Sequence, residues 1–220
     1  MKGSQAVAEV VGREGVEEVF CFPANKMIVT AAAVGIRPVV GRQERSVINM
    51  ADAYSRISNG TRIGVAMVQH GPGAEHAFGG IAQAYADSVP LLLLPNGNTL
   101  RELGLRTTFD AVEAYRPITK WAARFSTPQT VHEQMRRAFQ LMRSGRPGPV
   151  VLELPLDVAE EEFDDALFDY SPPLRYRSAA DPQDVERAVE LLIDAERPLI
   201  RAGQGVLGPA RPTPWSSSRS

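Results

Sequence analysis

The chain has 220 residues, 44% of them hydrophobic and 23% charged, with a net charge of −2 at neutral pH. This length and composition provide for one full α/β domain plus part of a second. The near-balanced charge excludes a basic surface for nucleic acid, and no apolar run is long enough to cross a membrane.

The N-terminal segment is amphipathic and contains acidic residues, so it does not resemble a signal peptide, and a cytoplasmic protein is expected. Cys21 is the one cysteine, which excludes a disulfide within the chain. Because it lies in an apolar run, we expect it to be a buried core residue.

Strand and helix patterns alternate along the first 155 residues. Helices are predicted at 4–13, 27–35, 44–58 and 74–88, with apolar strands at 17–22, 37–41, 62–69 and 89–95. A polar connection (96–110) leads to a strand (118–125), a helix (127–145) and a last strand (148–155). This alternation predicts an α/β fold with a doubly wound, mostly parallel sheet and helices on both faces.

The pattern changes after Pro155. Residues 1–158 are predicted to form one domain, followed by an acidic, proline-rich linker at 159–180. Residues 181–208 are predicted to begin a second α/β domain, with a helix at 181–196 and a strand at 197–203. Residues 209–220 contain three prolines and a serine run without periodicity. We expect this tail to be non-native, as in a truncated or frame-shifted product.

A glycine motif, GQGVLG at 203–208, follows the last predicted strand. Its spacing matches a dinucleotide-binding loop, but Pro209 stands where the required helix should begin. We therefore interpret the motif as a tight turn. An unrelated nucleotide-binding α/β domain is kept as an alternative.

A second loop, QHGPGAEH at 69–76, connects a predicted strand to a helix. Its glycines allow the backbone to approach a ligand, and Pro72 stiffens it. Open α/β sheets bind ligands at this edge, although a plain connection is the alternative. A zinc site at His70 and His76 would need further ligands, and none is evident, so no metal site is predicted.

Glu44 stands where a predicted strand gives way to a predicted helix. A solvated acid in the first turn of a helix is favoured by the helix dipole, and local chemistry alone favours that structural interpretation.

Taken together, five blocks of sequence resemble the N-terminal pyrimidine-binding domain of thiamine-diphosphate-dependent enzymes. The nearest group is the acetolactate synthase, glyoxylate carboligase and benzoylformate decarboxylase branch. The blocks are VFCFPANK, GRQERSVINMADAYSRISNG, VQHGPGAEHAFGGIAQAYADSVPLLLL, YRPITKW and SGRPGPVVLELPLDV. The resemblance covers residues 1–158 in collinear order, and then the start of a central domain to about residue 208.

The resemblance implies a catalytic role for Glu44. In this family the carboxylate at that position shares a proton with N1′ of the cofactor's aminopyrimidine, which promotes loss of the proton on thiazolium C2. The implied cofactor-binding residues are Glu44, Pro23, Ala24, Gly71, Pro72, Gly73 and His76.

The implied activity is that of a 2-keto-acid carboligase or decarboxylase with thiamine diphosphate as cofactor. The family binds the diphosphate and Mg²⁺ through a C-terminal Gly-Asp-Gly…Asn motif that this sequence lacks, so the chain alone is expected to be inactive. A homo-oligomer or a partner diphosphate-binding domain is implied, with helices 44–58 and 74–88 as the dimer face. FAD, which some relatives bind mainly through the central domain, is left undecided.

Three positions depart from the acetolactate synthase pattern. His76 replaces a usual Asn, Gln43 a common His, and Asp110 a usual Gln. These departures argue against a standard acetolactate synthase and leave the keto acid open. The alternative function is a catalytically dead fragment that acts only as a dimerising domain.

Overall fold

The structure is a computed structural model, and it describes residues 1–174, 179–203 and 205. The chain divides into two compact units, Met1–Arg175 and Tyr176–Ser220.

Within residues 1–174, the first unit contains a six-stranded sheet in which every neighbouring pair is parallel. The strands are β1 (Glu18–Cys21), β2 (Arg37–Val40), β3 (Gly64–Val68), β4 (Leu91–Gly97), β5 (Trp121–Arg124) and β6 (Val150–Pro155). Their order is β2-β1-β3-β4-β6-β5. The predicted doubly wound α/β sheet is therefore confirmed.

Helices cover both faces of this sheet. One face carries α1 (Gly3–Arg13), α2 (Met27–Ala33), α6 (Val131–Arg143) and α7 (Leu156–Glu160). The other face carries α3 (Glu44–Ile57), α4 (Pro72–Ala86) and α5 (Ala111–Tyr115). Short 3₁₀ turns lie at Leu100–Glu102, Arg116–Ile118, Pro128–Thr130 and Asp165–Leu167.

The first four residues of the central strand β4 are all leucines. Leu92 and Leu94 belong to the core on the α1 side of the sheet, whereas Leu91 and Leu93 belong to the core on the α3 side. Side chains alternate between the faces of a strand, so a stretch covered by helices on both faces is apolar at successive positions. Cys21 is buried in the core on the α1 side, as predicted, and burial raises the pKa of its thiol.

The segment after β6 differs from the predicted linker. Phe163 and Tyr170 are buried in the core on the α1 side of the sheet, and the backbone N–H of Phe163 donates to the carbonyl of Met1 at 3.0 Å. The hydroxyl of Tyr170 also donates to Glu14 at the end of α1. The aromatic residues bring this acidic stretch onto the domain because their burial removes large apolar surfaces from water.

The second unit contains helix α8 (Pro182–Ile193), which confirms the helix predicted at 181–196. Residues 197–203 form no strand, contrary to the prediction. A strand needs a neighbour for its backbone hydrogen bonds, and the described residues of this unit offer none. Residue 204 and residues 206–220, which include most of GQGVLG and the predicted tail, lie outside the described residues.

Helix α3 and strand β3 approach closely at Gly64. A Cβ at this position would lie 2.0 Å from the carbonyl oxygen of Ala51, which is a backbone atom and cannot rotate away. The backbone N–H of Gly64 also donates to the hydroxyl of Ser55 at 2.6 Å. The contact fixes the distance between the helix that begins with Glu44 and the sheet.

We predict that Gly64→Ala lowers the free energy of unfolding by about 3 kcal/mol, since the added carbon forces α3 away from the sheet. Gly79→Ala is the matched control, because Gly79 lies in α4 with open space at its Cβ position. It should stabilise the helix by about 0.5–1 kcal/mol. Urea unfolding measures both values. Equal effects of the two substitutions would contradict the packing argument.

Candidate functional site

The order of the strands reverses direction between β1 and β3, the pair at the centre of the candidate site. From β1 the chain proceeds to β2 on one side, and β3 then begins the half of the sheet on the other side. Ligands of open α/β sheets bind outside the carboxyl ends of the strands at such a switch point. Pro23 and Ala24 follow β1, and Gly71 to Gly73 follow β3.

Glu44 is the first residue of α3, and its side chain is only 6% exposed. Its Oε2 lies 3.3 Å from Nδ1 of His76 on α4. Its Oε1 lies 3.3 Å from the position that a Cβ on Gly73 would occupy. The carboxylate thus faces the turn formed by Gly71, Pro72 and Gly73, which we call the glycine loop. The interpretation of Glu44 as a solvated first-turn acid is wrong.

The glycine loop is shaped by its two glycines. Gly71 has φ +56° and ψ −111°, a conformation that is accessible to glycine but strained for other residues. Helix α4 begins at Pro72, two residues before the predicted start, because proline suits the first helical position. At Gly73 an added Cβ would lie 2.5 Å from Cγ of Gln69. Glycine at position 73 therefore lets the loop pack closely against Gln69 and the Glu44 carboxylate.

Asn25 holds the loop after β1, a role that no local sequence pattern indicated. Its side-chain amide donates to the carbonyls of Val68 (2.7 Å) and Leu94 (3.1 Å), and its Oδ1 accepts from the N–H of Met27 at 2.8 Å. The buried amide thereby joins the ends of β3 and β4 to the start of α2. Asparagine is common in turns, but partners 43 and 69 residues away are not visible in a local pattern.

Pro23 and Ala24 are exposed and line a cleft of about 670 Å³ with Asn25, His70 and Asn96. Glu44 is not among the residues that line this cleft. The structure thus brings together Glu44, Gly73 and His76, and it places Pro23 and Ala24 in a separate cleft at the same edge of the sheet.

Tyr115, the last residue of α5, anchors the first turn of α4. Its side chain is fully buried, and its hydroxyl donates to the carbonyl of Ala74, the residue after Gly73. Burial raises the pKa of this phenol. The sequence predicted no element between the polar connection at 96–110 and the strand at 118–125, so this contact was missed.

Asp110 has a structural role in this chain. Its carboxylate accepts hydrogen bonds from the N–H groups of Val112 and Glu113 at the start of α5, at 3.0 and 3.2 Å. It also accepts from Arg124 at 3.1 Å, and Arg124 in turn pairs with the buried Glu153. Burial raises the pKa of Glu153. A neutral Gln at position 110 would provide no charge opposite Arg124.

Two negative findings concern the described part of the chain. Among residues 1–174, 179–203 and 205, no three His, Cys, Asp or Glu side chains cluster so that they could hold a metal ion. In the same residues, no helix has the length and apolar character needed to span a bilayer.

Comparison with known families gives a match over about half of the chain. Residues 1–115 match the family model described as "Thiamine pyrophosphate enzyme, N-terminal TPP binding domain". The matched stretch contains the Glu44 carboxylate, the 71–73 loop and the Tyr115 anchor.

Curated proteins match over a longer part of the chain. It is 36% identical over 216 residues to the glyoxylate carboligase of Escherichia coli O157:H7, and 32% identical over 217 residues to a probable acetolactate synthase large subunit of Methanocaldococcus jannaschii. It is also 33% identical over 214 residues to the acetolactate synthase large subunit of Lactococcus lactis. These matches cover 93–94% of this chain and 36% of each relative. The chain thus spans little more than a third of the length of the relatives.

We predict that Tyr115 contributes to alkaline unfolding. Its pKa is raised in the folded protein, so the unfolded chain loses the phenolic proton first, near the usual value of about 10. Its stabilising contribution is complete below that pH and is lost as the pH rises above it. In Tyr115→Phe this part of the loss should be absent, while the missing hydrogen bond costs about 1 kcal/mol at neutral pH.

Urea unfolding at about pH 8 and above about pH 10, near the usual tyrosine pKa, measures the effect. Tyr85→Phe is the matched control, since the Tyr85 ring is exposed. The control should lose as much stability at high pH as the unchanged protein. If Tyr115→Phe loses as much stability at high pH as the control, Tyr115 does not contribute to alkaline unfolding and the prediction is wrong.

Proposed function

This chain belongs to the thiamine pyrophosphate enzyme family through its N-terminal TPP-binding domain, and on that premise we propose that it is the pyrimidine-binding part of a 2-keto-acid carboligase or decarboxylase. The similar glyoxylate carboligase and acetolactate synthases support this choice of reaction class. The observation that carries the proposal is the buried carboxylate of Glu44 beside the glycine loop at the switch point of the sheet.

The residues around Glu44 fit an aminopyrimidine ring. A Cβ at Gly73 would lie 3.3 Å from Oε1 and 2.5 Å from Cγ of Gln69, so glycine lets the loop lie this close to the carboxylate. We propose that the ring binds against this oxygen, that Gly71 and Pro72 fix the loop, and that Pro23 and Ala24 border the ring from the cleft at the same edge of the sheet. Open α/β sheets bind ligands at this edge.

In the proposed mechanism Glu44 holds a proton at the ring nitrogen N1′. A carboxyl group that is shielded from water can share a proton with a neighbouring base. When bound, thiamine diphosphate supplies the electron sink for chemistry at the carbonyl carbon of a 2-keto acid. This chain's part is to orient the ring, exclude water from Glu44 and supply or accept the proton.

A second part of the active site must come from outside the described residues. We propose that a diphosphate-binding domain, on the same or another chain, binds the charged end of the cofactor with Mg²⁺. The relatives are nearly three times as long as the segment that this chain matches, which supports a division of the site between domains.

We further propose that the chain assembles with a second copy through α3 and α4. Ile57 on α3 is 84% exposed, and Phe78 and Tyr85 on α4 are exposed as well. Large apolar side chains on neighbouring surface helices are typical of an interaction surface.

The experiment is a chimera in which residues 1–174 replace the matching segment of the Lactococcus lactis acetolactate synthase large subunit. We predict that Glu44→Gln in this chimera slows exchange of the cofactor's C2 proton by about 10²–10⁴-fold, the usual contribution of general acid–base catalysis. Proton NMR in D₂O, with thiamine diphosphate bound, measures the exchange rate.

Glu75→Gln is the matched control, because Glu75 lies on the exposed side of the first turn of α4. It should exchange at the rate of the unsubstituted chimera. A Glu44→Gln chimera with an unchanged exchange rate would show that this carboxylate is not the activating group. A folded chimera that fails to bind thiamine diphosphate would refute the proposed function as a whole.

A further inference from the structure

We propose that His76 transfers protons between the buried Glu44 carboxylate and solvent, and that Glu44 holds the imidazole in one tautomer. The inference rests on the proposed function of Glu44. Within residues 1–174, the one side-chain hydrogen bond found for Glu44 is to His76, at 3.3 Å. The Glu44 side chain is 6% exposed, whereas that of His76 is 70% exposed. The pair therefore connects a buried carboxylate to the surface of the domain.

The two oxygens of Glu44 have different neighbours. Oε2 bonds to His76, and Oε1 lies on the side of Gly73, 3.3 Å from the position that a Cβ on Gly73 would occupy. Gly73 and His76 are three residues apart on α4, so both lie on the side of the helix that faces Glu44. One oxygen can thus exchange a proton with His76 while the other faces the proposed ring position.

The chemistry of the pair fixes the tautomer of His76. An ionised carboxylate only accepts hydrogen bonds, so a neutral imidazole bonded to it must carry its proton on Nδ1. Nε2 then has a free lone pair. Because most of the ring is exposed, Nε2 is available to water or to a ligand proton. A carboxylate that orients an imidazole in this way leaves Nε2 as a base, as in catalytic dyads and triads.

Proton transfer through this pair balances in two steps. Nε2 accepts a proton from a water molecule, which leaves as hydroxide, and Nδ1 gives its proton to Oε2 of Glu44. This leaves neutral His76 protonated on Nε2 and a neutral Glu44. The reverse sequence returns the proton to hydroxide, and no other protein group changes its charge.

The other charged or titratable groups near the pair are exposed. Arg45 follows Glu44 on α3, Glu75 precedes His76 on α4, and His70 stands before the glycine loop. Among residues 1–174, no ion pair or side-chain hydrogen bond is found between these three groups and either member of the pair. Water screens exposed charges strongly, so the direct contact with Glu44 dominates the environment of Nδ1.

The test uses the full chain labelled with ¹⁵N-histidine, above the usual titration range of histidine (about pH 8). The three histidines, His70, His76 and His132, give separate ring signals in a long-range ¹H–¹⁵N spectrum. We expect His76 to be protonated mainly on Nδ1, and Glu44→Ala to move the proton mainly to Nε2. His132 lies on α6, on the opposite face of the sheet, and its unchanged signal confirms that the variant is folded.

An Nε2-protonated His76 in the unchanged protein would overturn the proposal, and so would a His76 tautomer that does not respond to Glu44→Ala. If Glu44→Ala does not fold, Glu44→Asp provides the same test. Its shorter side chain withdraws the carboxylate from Nδ1, so the fraction of Nδ1-protonated His76 should fall. An unchanged fraction would overturn the proposal.

The chimera separates this inference from the proposed function. His76→Ala should slow exchange of the cofactor's C2 proton by at least about tenfold, because a proton route is lost. If Glu44→Gln slows exchange and His76→Ala leaves it unchanged, the proton-transfer role is wrong and the role of Glu44 stands. If Glu44→Gln has no effect, the proposed function itself fails.

Discussion

The close contact between α3 and α4 is the constraint on which the candidate site depends. At Gly80 an added Cβ would lie 2.7 Å from Cγ2 of Ile48, so the side chain of Ile48 on α3 packs directly against the backbone of α4. Ala74 and Ala77 continue this narrow interface toward the start of α4. Only because these residues are small can a carboxylate at the first turn of one helix lie beside the first turn of the other. Burial of Glu44 is thus a result of helix packing, and it does not require a deep pocket.

Much of the fold was predictable because the relevant signals are local. Alternating apolar strands and amphipathic helices specified every strand of the sheet, and the all-parallel order follows from the helical crossovers. The loop at 69–76 was recognisable from its glycines. Residue-level resemblance, and not local chemistry, selected Glu44, since a first-turn acid is more often solvated.

What the sequence did not reveal depends on partners that are distant along the chain. Asn25 supports the site through carbonyls of residues 43 and 69 positions away along the chain. Tyr115 does so through a carbonyl 41 positions away. The stretch at 161–170 appeared to be part of a linker because its acidic composition outweighed its three aromatic residues, Phe163, Phe168 and Tyr170. The strand predicted at 197–203 was wrong although its local pattern was favourable. The described residues of its unit provide no neighbouring strand to which it could hydrogen-bond.

The buried thiol of Cys21 has a practical consequence. It is the one sulfhydryl in the chain, it has no exposed surface, and burial disfavours its reactive thiolate. A cysteine engineered at any exposed position would therefore react with a maleimide dye far faster than the natural one. Fluorescent or spin labels can be attached at single chosen points of this domain without first removing the native residue.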